Sequence, residues 1–170
     1  MDQPSSPLPR STGVLLHPTA LPGSPVCGSF GEPCRRWLRL LADNDIGVWQ
    51  MLPLAPPDPT GSPYSSPSCF ALNPWFLDAA DLAVEGFISG EQLAGLPWAN
   101  APTEDVAALS FTQARERSQA VSDALLHSWS EQSAERHQAF ASWCDQQSWL
   151  EDHVCFRVLH DQHQQPWWTW

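Results

Sequence analysis

Two short apolar runs, separated by an amphipathic segment, begin the regularly patterned part of the chain. The runs span 13–18 and 48–53, and each ends at a proline. Because successive positions in both runs are largely apolar, they predict strands that are buried on two faces, as in parallel sheets. A helix is predicted from about Pro33 to Asn44, where one face carries apolar residues at helical spacing: Cys34, Trp37, Leu38 and Leu41. The order strand, helix, strand therefore predicts a βαβ unit with parallel strands.

A long proline-rich segment follows the second predicted strand, from Pro53 to about Asp81. Residues 55–67 include five prolines and one glycine, which exclude an ordinary helix or strand there. Aromatic and apolar residues return at 69–70 and 75–77, so we expect a packed loop and not a tail-like linker. Loops of this length within a compact domain are usually functional.

The second half of the chain has a helical pattern. Glycine and proline are absent from 104–165, and apolar residues recur on one helical face at Val121, Leu125 and Trp129. We therefore predict three or more helices joined by short polar breaks, the last of them over about 149–160.

Charge and cysteine content narrow the possible functions. The 170 residues hold 8 Lys and Arg against 19 Asp and Glu, a formal net charge of −11. Such a chain is unsuited to nucleic-acid phosphates or to an anionic membrane, whereas a neutral substrate is compatible with it. The five cysteines lack the spacing of a zinc site, and we assign no metal ligand. Since no secretory leader or membrane-spanning apolar stretch is evident, we expect reduced thiols in a cytoplasmic protein.

Tryptophan is the other unusual component of the chain, with 10 Trp against one Tyr. Trp stacks on flat apolar faces, which include those of pyranose rings, although we expect most of these side chains in the core. Three of them fall in residues 165–170. Because large aromatic side chains gain stability from burial, this pattern predicts a truncated polypeptide whose missing part would cover them.

Four blocks of sequence carry a resemblance to a known family. They are GVLLHPTALPG at 13–23, VWQMLPL at 48–54, SPYSSPSCFALNP at 62–74, and the segment 149–170 with its Trp-Trp-Thr-Trp end. In their order and spacing, these blocks resemble those of amylomaltases, glycoside hydrolase family 77. Residues 83–147 resemble the family only as a helical insertion.

The resemblance implies an α/β fold, namely the first βαβ unit of a (β/α)8 TIM barrel with a long active-site loop and a helical insertion subdomain. It divides the chain into a disordered arm at 1–12, the first barrel strands, helix and substrate loop at 13–82, and a mostly helical insertion at 83–170. Members of the family transfer α-1,4-glucan segments to glucose or to another glucan with retention of configuration. The resemblance implies no cofactor.

Retaining chemistry on a sugar needs two carboxyl groups about 5 Å apart. The resemblance implies that the catalytic carboxylates lie outside residues 1–170, so we assign no catalytic residue and expect this chain to be inactive alone. Two local acid pairs, Asp78 with Asp81 and Asp43 with Asp45, are interpreted as helix caps and solvated charges. We interpret His17, at the end of the first strand, as structural.

Ser62 and Tyr64 are the candidate substrate-binding residues. In the family the Ser-Pro-Tyr loop lies at the C-terminal mouth of the barrel, where active sites form. The resemblance therefore implies that Ser62 hydrogen-bonds a sugar hydroxyl and that Tyr64 contacts a glucose unit. From the residues alone, a turn serine and a packing tyrosine are the alternatives. Pro59 and Gly61 stand where many members have an aromatic residue and an acid, which predicts a stiffer loop without an accessory glucan contact.

Two other functions stay open at this point. The tryptophan content and the lone tyrosine suggest a non-catalytic glucan-binding module, although βαβ order does not suit the β-sandwiches typical of such modules. A truncated chain without independent function is the other alternative, because two strands cannot close a barrel.

Overall fold

The computed structural model describes residues 10–24, 26–99 and 109–170. The predicted disordered arm lies outside these ranges over 1–9, and so does the predicted helical start at 104. Strand β1 (Gly13–Leu15), helix α1 (Glu32–Asp43) and strand β2 (Val48–Gln50) come first. The helices that follow are α2 (Ala79–Val84), α3 (Gly90–Gly95), α4 (Phe111–Trp129), α5 (Ala134–Asp145) and α6 (Leu150–His163). Single 3₁₀ turns lie at Pro18–Ala20, Pro63–Ser65, Pro74–Phe76 and Trp167–Thr169.

Strands β1 and β2 form a parallel pair joined through α1, so the predicted βαβ order is confirmed. Leu15 is the partner of Gln50, and the backbone N–H of Leu16 donates to the Gln50 carbonyl at 3.1 Å. Helix α1 packs on one face of the pair, where the rings of Trp37 and Trp49 meet edge-on with their centroids 6.2 Å apart. The Nε1–H of Trp49 also donates to the Leu16 carbonyl at 2.7 Å, which fixes this ring against β1.

The prediction that both strands are buried on two faces is wrong for the described part of the chain. Leu15 is 58% exposed and Val48 is 48% exposed. The described residues form a sheet of two strands, and α1 covers the side that carries Trp49. On the opposite side of the strand pair, the side chains of Leu15 and Val48 are therefore not covered by another helix or sheet within the described ranges.

The hydrophobic core lies between the loop after β1, the 3₁₀ turn at 74–76 and helix α4. Its buried members are Val26, Cys27, Trp75 and Ala114. The partly buried rings of Trp98 and Phe111 pack against them. Arg117 of α4 is buried beside this cluster. Its guanidinium donates to the carbonyl oxygens of Cys27 at 2.9 Å and Trp75 at 3.0 Å. Burial lowers the pKa of Arg117, yet arginine stays charged in proteins, so α4 is tied to both loops by charge-assisted hydrogen bonds.

The bounds of helices α2 and α3 were not predicted, and each helix begins at a side-chain cap. The carboxylate of Asp78 accepts from two backbone N–H groups of the first turn of α2, both at 3.1 Å. Ser89 and Gln92 form a capping box at the start of α3. Asp81 pairs with Arg35 of α1 through two hydrogen bonds of 2.8 and 2.9 Å. The interpretation of Asp78 and Asp81 as a cap and a surface charge is therefore confirmed.

Helices α4, α5 and α6 confirm the predicted helical second half. Trp129 at the end of α4 packs on Phe140 of α5, with ring centroids 5.0 Å apart, and Trp170 packs on Phe156 of α6 at 5.6 Å. The tryptophans at 167–168 are 61% and 71% exposed. Across the described ranges, no helix combines the length and the apolar content that crossing a bilayer requires.

Candidate functional site

The loop that carries Ser62 and Tyr64 begins at the carboxyl end of β2, and its far end is hydrogen-bonded back to its beginning. Its return is held by Asn73, whose backbone N–H donates to the Leu54 carbonyl at 2.8 Å. Asn73 is buried, and its side-chain oxygen accepts from the backbone N–H of Trp75 at 3.1 Å. Residues 55–72 are therefore an excursion between two anchored ends, and not a free linker.

Asp58 organises the first half of this excursion. Its Oδ1 atom accepts hydrogen bonds from the backbone N–H of Thr60 at 2.8 Å, the Thr60 hydroxyl at 2.6 Å and the backbone N–H of Ser62 at 2.9 Å. Its backbone N–H donates to the Ser62 carbonyl at 3.1 Å. These hydrogen bonds, led by the one from the Thr60 side chain, lower the pKa of Asp58. We call residues 58–62 the Asp58 turn.

Gly61 allows the Asp58 turn to close against helix α4. Its backbone has φ of +86°, a conformation that glycine adopts without a steric penalty. A Cβ atom at this position would collide with the ring of Phe111. Phe111 is the first residue of α4, and its ring stacks on Trp75 with centroids 5.7 Å apart. The turn therefore abuts a ring that belongs to the hydrophobic core.

Ser62 begins the 3₁₀ turn at 63–65, and its side chain accepts from the backbone N–H of Tyr64 at 3.4 Å. This is a long hydrogen bond, and the hydroxyl of Ser62 retains its own proton for another acceptor. Tyr64 is 72% exposed. Ser62 therefore has the turn role that the residues alone suggested. Tyr64, in contrast, does not pack as a buried side chain within the described residues.

The second half of the excursion is braced by serine side chains. The hydroxyl of Ser66 donates to the carbonyl of Ser68 at 2.7 Å, and Oγ of Ser68 accepts from the backbone N–H groups of Phe70 at 3.2 Å and Ala71 at 3.1 Å. Phe70 is 64% exposed and stacks on Trp149, with ring centroids 5.8 Å apart. The loop thus presents a second aromatic ring at its surface in addition to Tyr64.

Other polar residues near the strand ends have structural contacts. The ring of His17 packs edge-on against Phe76 at 5.7 Å, and burial lowers the pKa of His17. Asp78 accepts a hydrogen bond of 2.6 Å from the Ser29 hydroxyl in addition to its role as a cap. Asp45 follows the end of α1 with φ of +55°. Asp78 therefore has the contacts of a helix cap, and Asp45 lies in the turn that ends α1.

Two cavities lie between helices and away from the candidate residues. One, of about 610 Å³, is lined by residues of 86–92 and 128–136. The other, of about 220 Å³, lies between the first turns of α1 and α2 and helix α4, and Arg117 and Trp98 form part of its wall. Ser62 and Tyr64 line neither of them, and within the described chain Tyr64 lies on an open surface.

Sequence reasoning missed two contributors to this site, Asp58 and Phe111. The signal for Asp58 was present, since an aspartate followed by Pro-Thr-Gly is typical of a turn in which the carboxylate bonds the backbone two residues on. The contact between Gly61 and Phe111 has no local signal, because the two residues are far apart in the chain.

Comparison with known proteins assigns the chain to a family. The model of glycoside hydrolase family 77, described as 4-alpha-glucanotransferase, matches residues 16–170. The 4-alpha-glucanotransferase of Synechocystis is 34% identical over 161 residues, which is 94% of this chain and 31% of that protein. The enzyme of the same name from Thermus thermophilus is 34% identical over 165 residues, 96% of this chain and 31% of that protein.

The fold comparison agrees with the sequence comparison. An amylomaltase from Streptococcus agalactiae, solved in complex with acarbose, superposes with a TM-score of 0.70 at 28% sequence identity, covering 90% of this chain and 30% of that one. The chain therefore spans about a third of the length of the curated relatives that it matches. Its family model, its relatives and its fold agree, and the chain belongs to glycoside hydrolase family 77, the 4-alpha-glucanotransferases.

Proposed function

We propose that these residues form the N-terminal part of a 4-alpha-glucanotransferase and supply one wall of its glucan-binding cleft. The observation that carries the proposal is the placement of Tyr64, an exposed ring on a loop that is anchored at the carboxyl end of a parallel strand pair. In α/β barrels, loops at this edge of the strands build the active site. Membership of the family supports an α-1,4-glucan as the ligand.

The exposed strand faces support a barrel as the complete fold. Leu15 and Val48, on the side of the strand pair that α1 does not cover, are about half exposed within the described chain. Further strands and helices would cover these faces in a (β/α)8 barrel, in which each strand is buried on both sides. In this proposal, 13–82 contribute the first barrel strands, helix and substrate loop, and 83–170 contribute the helical insertion.

Ser62 and Tyr64 would act as binding residues. The Tyr64 ring offers an apolar face to a sugar ring and its hydroxyl offers a hydrogen bond, while the Ser62 hydroxyl donates to a sugar oxygen. A formal net charge of −11 suits a neutral glucan. The two carboxyl groups of a retaining mechanism, a nucleophile and an acid/base, would come from the part of the family length that this chain does not span. That chemistry needs no cofactor. We also propose that the protein is cytoplasmic.

The experiment is a disproportionation assay on the intact protein that carries these residues. Incubated with maltotriose, it should produce glucose and longer maltodextrins, while residues 1–170 alone should not. Tyr64→Ala should lower kcat/KM about 100-fold, the scale expected when a group that orients a substrate is lost. Tyr64→Phe separates the contribution of the ring from that of the hydroxyl.

Phe140→Ala is the matched aromatic control, because Phe140 is 52% exposed on α5 and packs against Trp129. It should leave kcat/KM close to that of the unaltered protein. Unchanged kinetics of Tyr64→Ala would contradict the assignment of Tyr64. Turnover by residues 1–170 alone would contradict the inference that the catalytic carboxylates lie elsewhere.

A non-catalytic glucan-binding module is the second candidate, and the exposed rings of Tyr64 and Phe70 favour it. The same assay separates the two functions. A binding module would retain maltodextrins on an affinity column, yet the intact protein would produce no glucose from maltotriose.

A further inference from the structure

We propose that Asp58 is a positioning residue for glucan binding, which holds the Ser62-Pro63-Tyr64 segment in its binding conformation before the substrate arrives. This inference rests on the proposed function, because it takes Ser62 and Tyr64 as the residues that contact the sugar. It assigns to Asp58 no contact with the substrate and no part in the chemistry.

The hydrogen bonds of the Asp58 turn provide the first argument. One oxygen, Oδ1 of Asp58, accepts from three donors on Thr60 and Ser62 at 2.6 to 2.9 Å. The backbone of Asp58 adds a bond of 3.1 Å to the Ser62 carbonyl, and the N–H of Gly61 bonds the Asp58 carbonyl at 3.0 Å. Ser62 is therefore held through both its N–H and its carbonyl group. Hydrogen bonds to a carboxylate are stronger than those between neutral groups.

The path from Asp58 to the tyrosine is short. Ser62, whose backbone is bonded to Asp58, accepts with its side chain from the N–H of Tyr64. That second hydrogen bond is 3.4 Å long and weak, and the Tyr64 ring is largely exposed. The position of the ring consequently depends on the backbone that leads to it, and that backbone is ordered by Asp58.

A contact from another element provides the second argument. Gly61, inside the Asp58 turn, leaves no room for a Cβ atom next to the ring of Phe111. Phe111 is itself stacked on the buried Trp75. The turn is thus closed from within by the Asp58 carboxylate and bounded from outside by the start of helix α4. A loop held on both sides loses less conformational freedom when it binds a ligand, which is the physical basis of preorganisation.

The role of Asp58 differs from that of a loop acid that touches a sugar. Its Oδ1 atom is already occupied by three protein donors, so the atom serves the backbone. An asparagine at this position keeps an Oδ1 acceptor in the same place, since Asp and Asn form the same turn. We therefore predict that Asp58→Asn preserves function and that Asp58→Ala does not.

The first test measures order directly. The protein is labelled with ¹⁵N-tyrosine; residues 1–170 hold a single tyrosine, and the loss of one amide signal in Tyr64→Phe assigns it. The Tyr64 amide should have an order parameter of about 0.85 in the unaltered protein and in Asp58→Asn, and below about 0.6 in Asp58→Ala. Circular dichroism confirms that each variant is folded. An ordered Tyr64 amide in Asp58→Ala would overturn the proposal.

The second test measures the consequence for the reaction with maltotriose. If the binding-competent population falls to about a tenth, Asp58→Ala should raise KM about tenfold, with kcat little changed, and Asp58→Asn should restore KM. A merely structural role would reduce the amount of active protein, which lowers the apparent kcat and leaves KM unchanged. An unchanged KM in Asp58→Ala, or a raised KM in Asp58→Asn equal to that of Asp58→Ala, would overturn the proposal.

The two tests separate this inference from the function on which it rests. If the unaltered intact protein transfers no glucan, the proposed function fails, while the amide measurement still decides whether Asp58 orders Tyr64. If the unaltered protein is active and Asp58→Ala has the same KM, the proposed function stands and the positioning role of Asp58 fails.

Discussion

The loop that presents Tyr64 depends on two residues with different physical roles. Asp58 supplies one oxygen that satisfies three donors of the following residues. Gly61 supplies a backbone conformation, φ of +86°, that a residue with a side chain adopts only with strain. Neither residue is itself proposed to touch a sugar, yet the surface offered by Ser62 and Tyr64 depends on both.

Substitution of Gly61 tests this dependence. Gly61→Ala should lower the free energy of unfolding by about 2 kcal/mol, because left-handed backbone strain is added and the new methyl group collides with Phe111. Gly90→Ala is the matched control, since a Cβ at Gly90 has open space on the helix α3. Urea unfolding of both variants measures the difference. Equal stability of the two variants would contradict the close approach of Gly61 to Phe111.

Local chemistry at the residue scale was readable from the sequence only where partners are close in the chain. The cap that Ser62 provides and the acceptor that Asp58 provides both act within four residues. The exposure of Tyr64 and the contact between Gly61 and Phe111 depend on how distant segments pack. No turn or cap rule contains that information.

At the scale of elements, a helix could be predicted from the sequence when it was long enough for its apolar residues to recur at helical spacing. Helix α1 occupies Glu32–Asp43, within one residue of the predicted bounds, because four apolar residues mark one face. Helices α2 and α3 have six residues each, less than two turns, so their only local signals are the caps Asp78 and Ser89.

The strands were predicted in the correct order, but the described chain covers them on one side only. An apolar run of three to six residues indicates burial, and it does not say which element supplies the cover. Within the described chain, α1 covers the Trp49 side, and the face with Leu15 and Val48 stays half exposed. The run cannot locate the cover, because the burial of a strand depends on the elements that pack against it.

Arg117 is the residue on which the packing between elements can be tested. Arg117→Met should lower the free energy of unfolding by about 2–3 kcal/mol, because the buried carbonyl oxygens of Cys27 and Trp75 each lose a charged donor. Arg115→Met is the matched control on the same helix, since Arg115 is exposed and a surface change of this kind costs about 0.5 kcal/mol or less. Urea unfolding compares them, and similar values would contradict the role of Arg117 as the tie between α4 and the two loops.

At the scale of the molecule, charge and exposed apolar surface both fit the proposed part of a barrel that binds a neutral glucan. The net charge of −11 is compatible with a neutral ligand. Exposed apolar side chains on the strands and at 167–168 are the surface that further barrel elements would cover in our proposal. Family membership rests on residues 16–170, and the proposed site rests on the geometry of Ser62 and Tyr64.

The most direct measurement is a crystal structure of the intact protein with bound acarbose, the compound present in the structure of the similar Streptococcus agalactiae amylomaltase. We predict a sugar ring within about 4 Å of the Tyr64 ring, the range of apolar contact, and a sugar oxygen within about 3 Å of the Ser62 hydroxyl. The Asp58 turn should be unchanged between the free and the bound protein. Acarbose bound at a site to which neither Ser62 nor Tyr64 contributes would contradict the proposed binding roles of these residues.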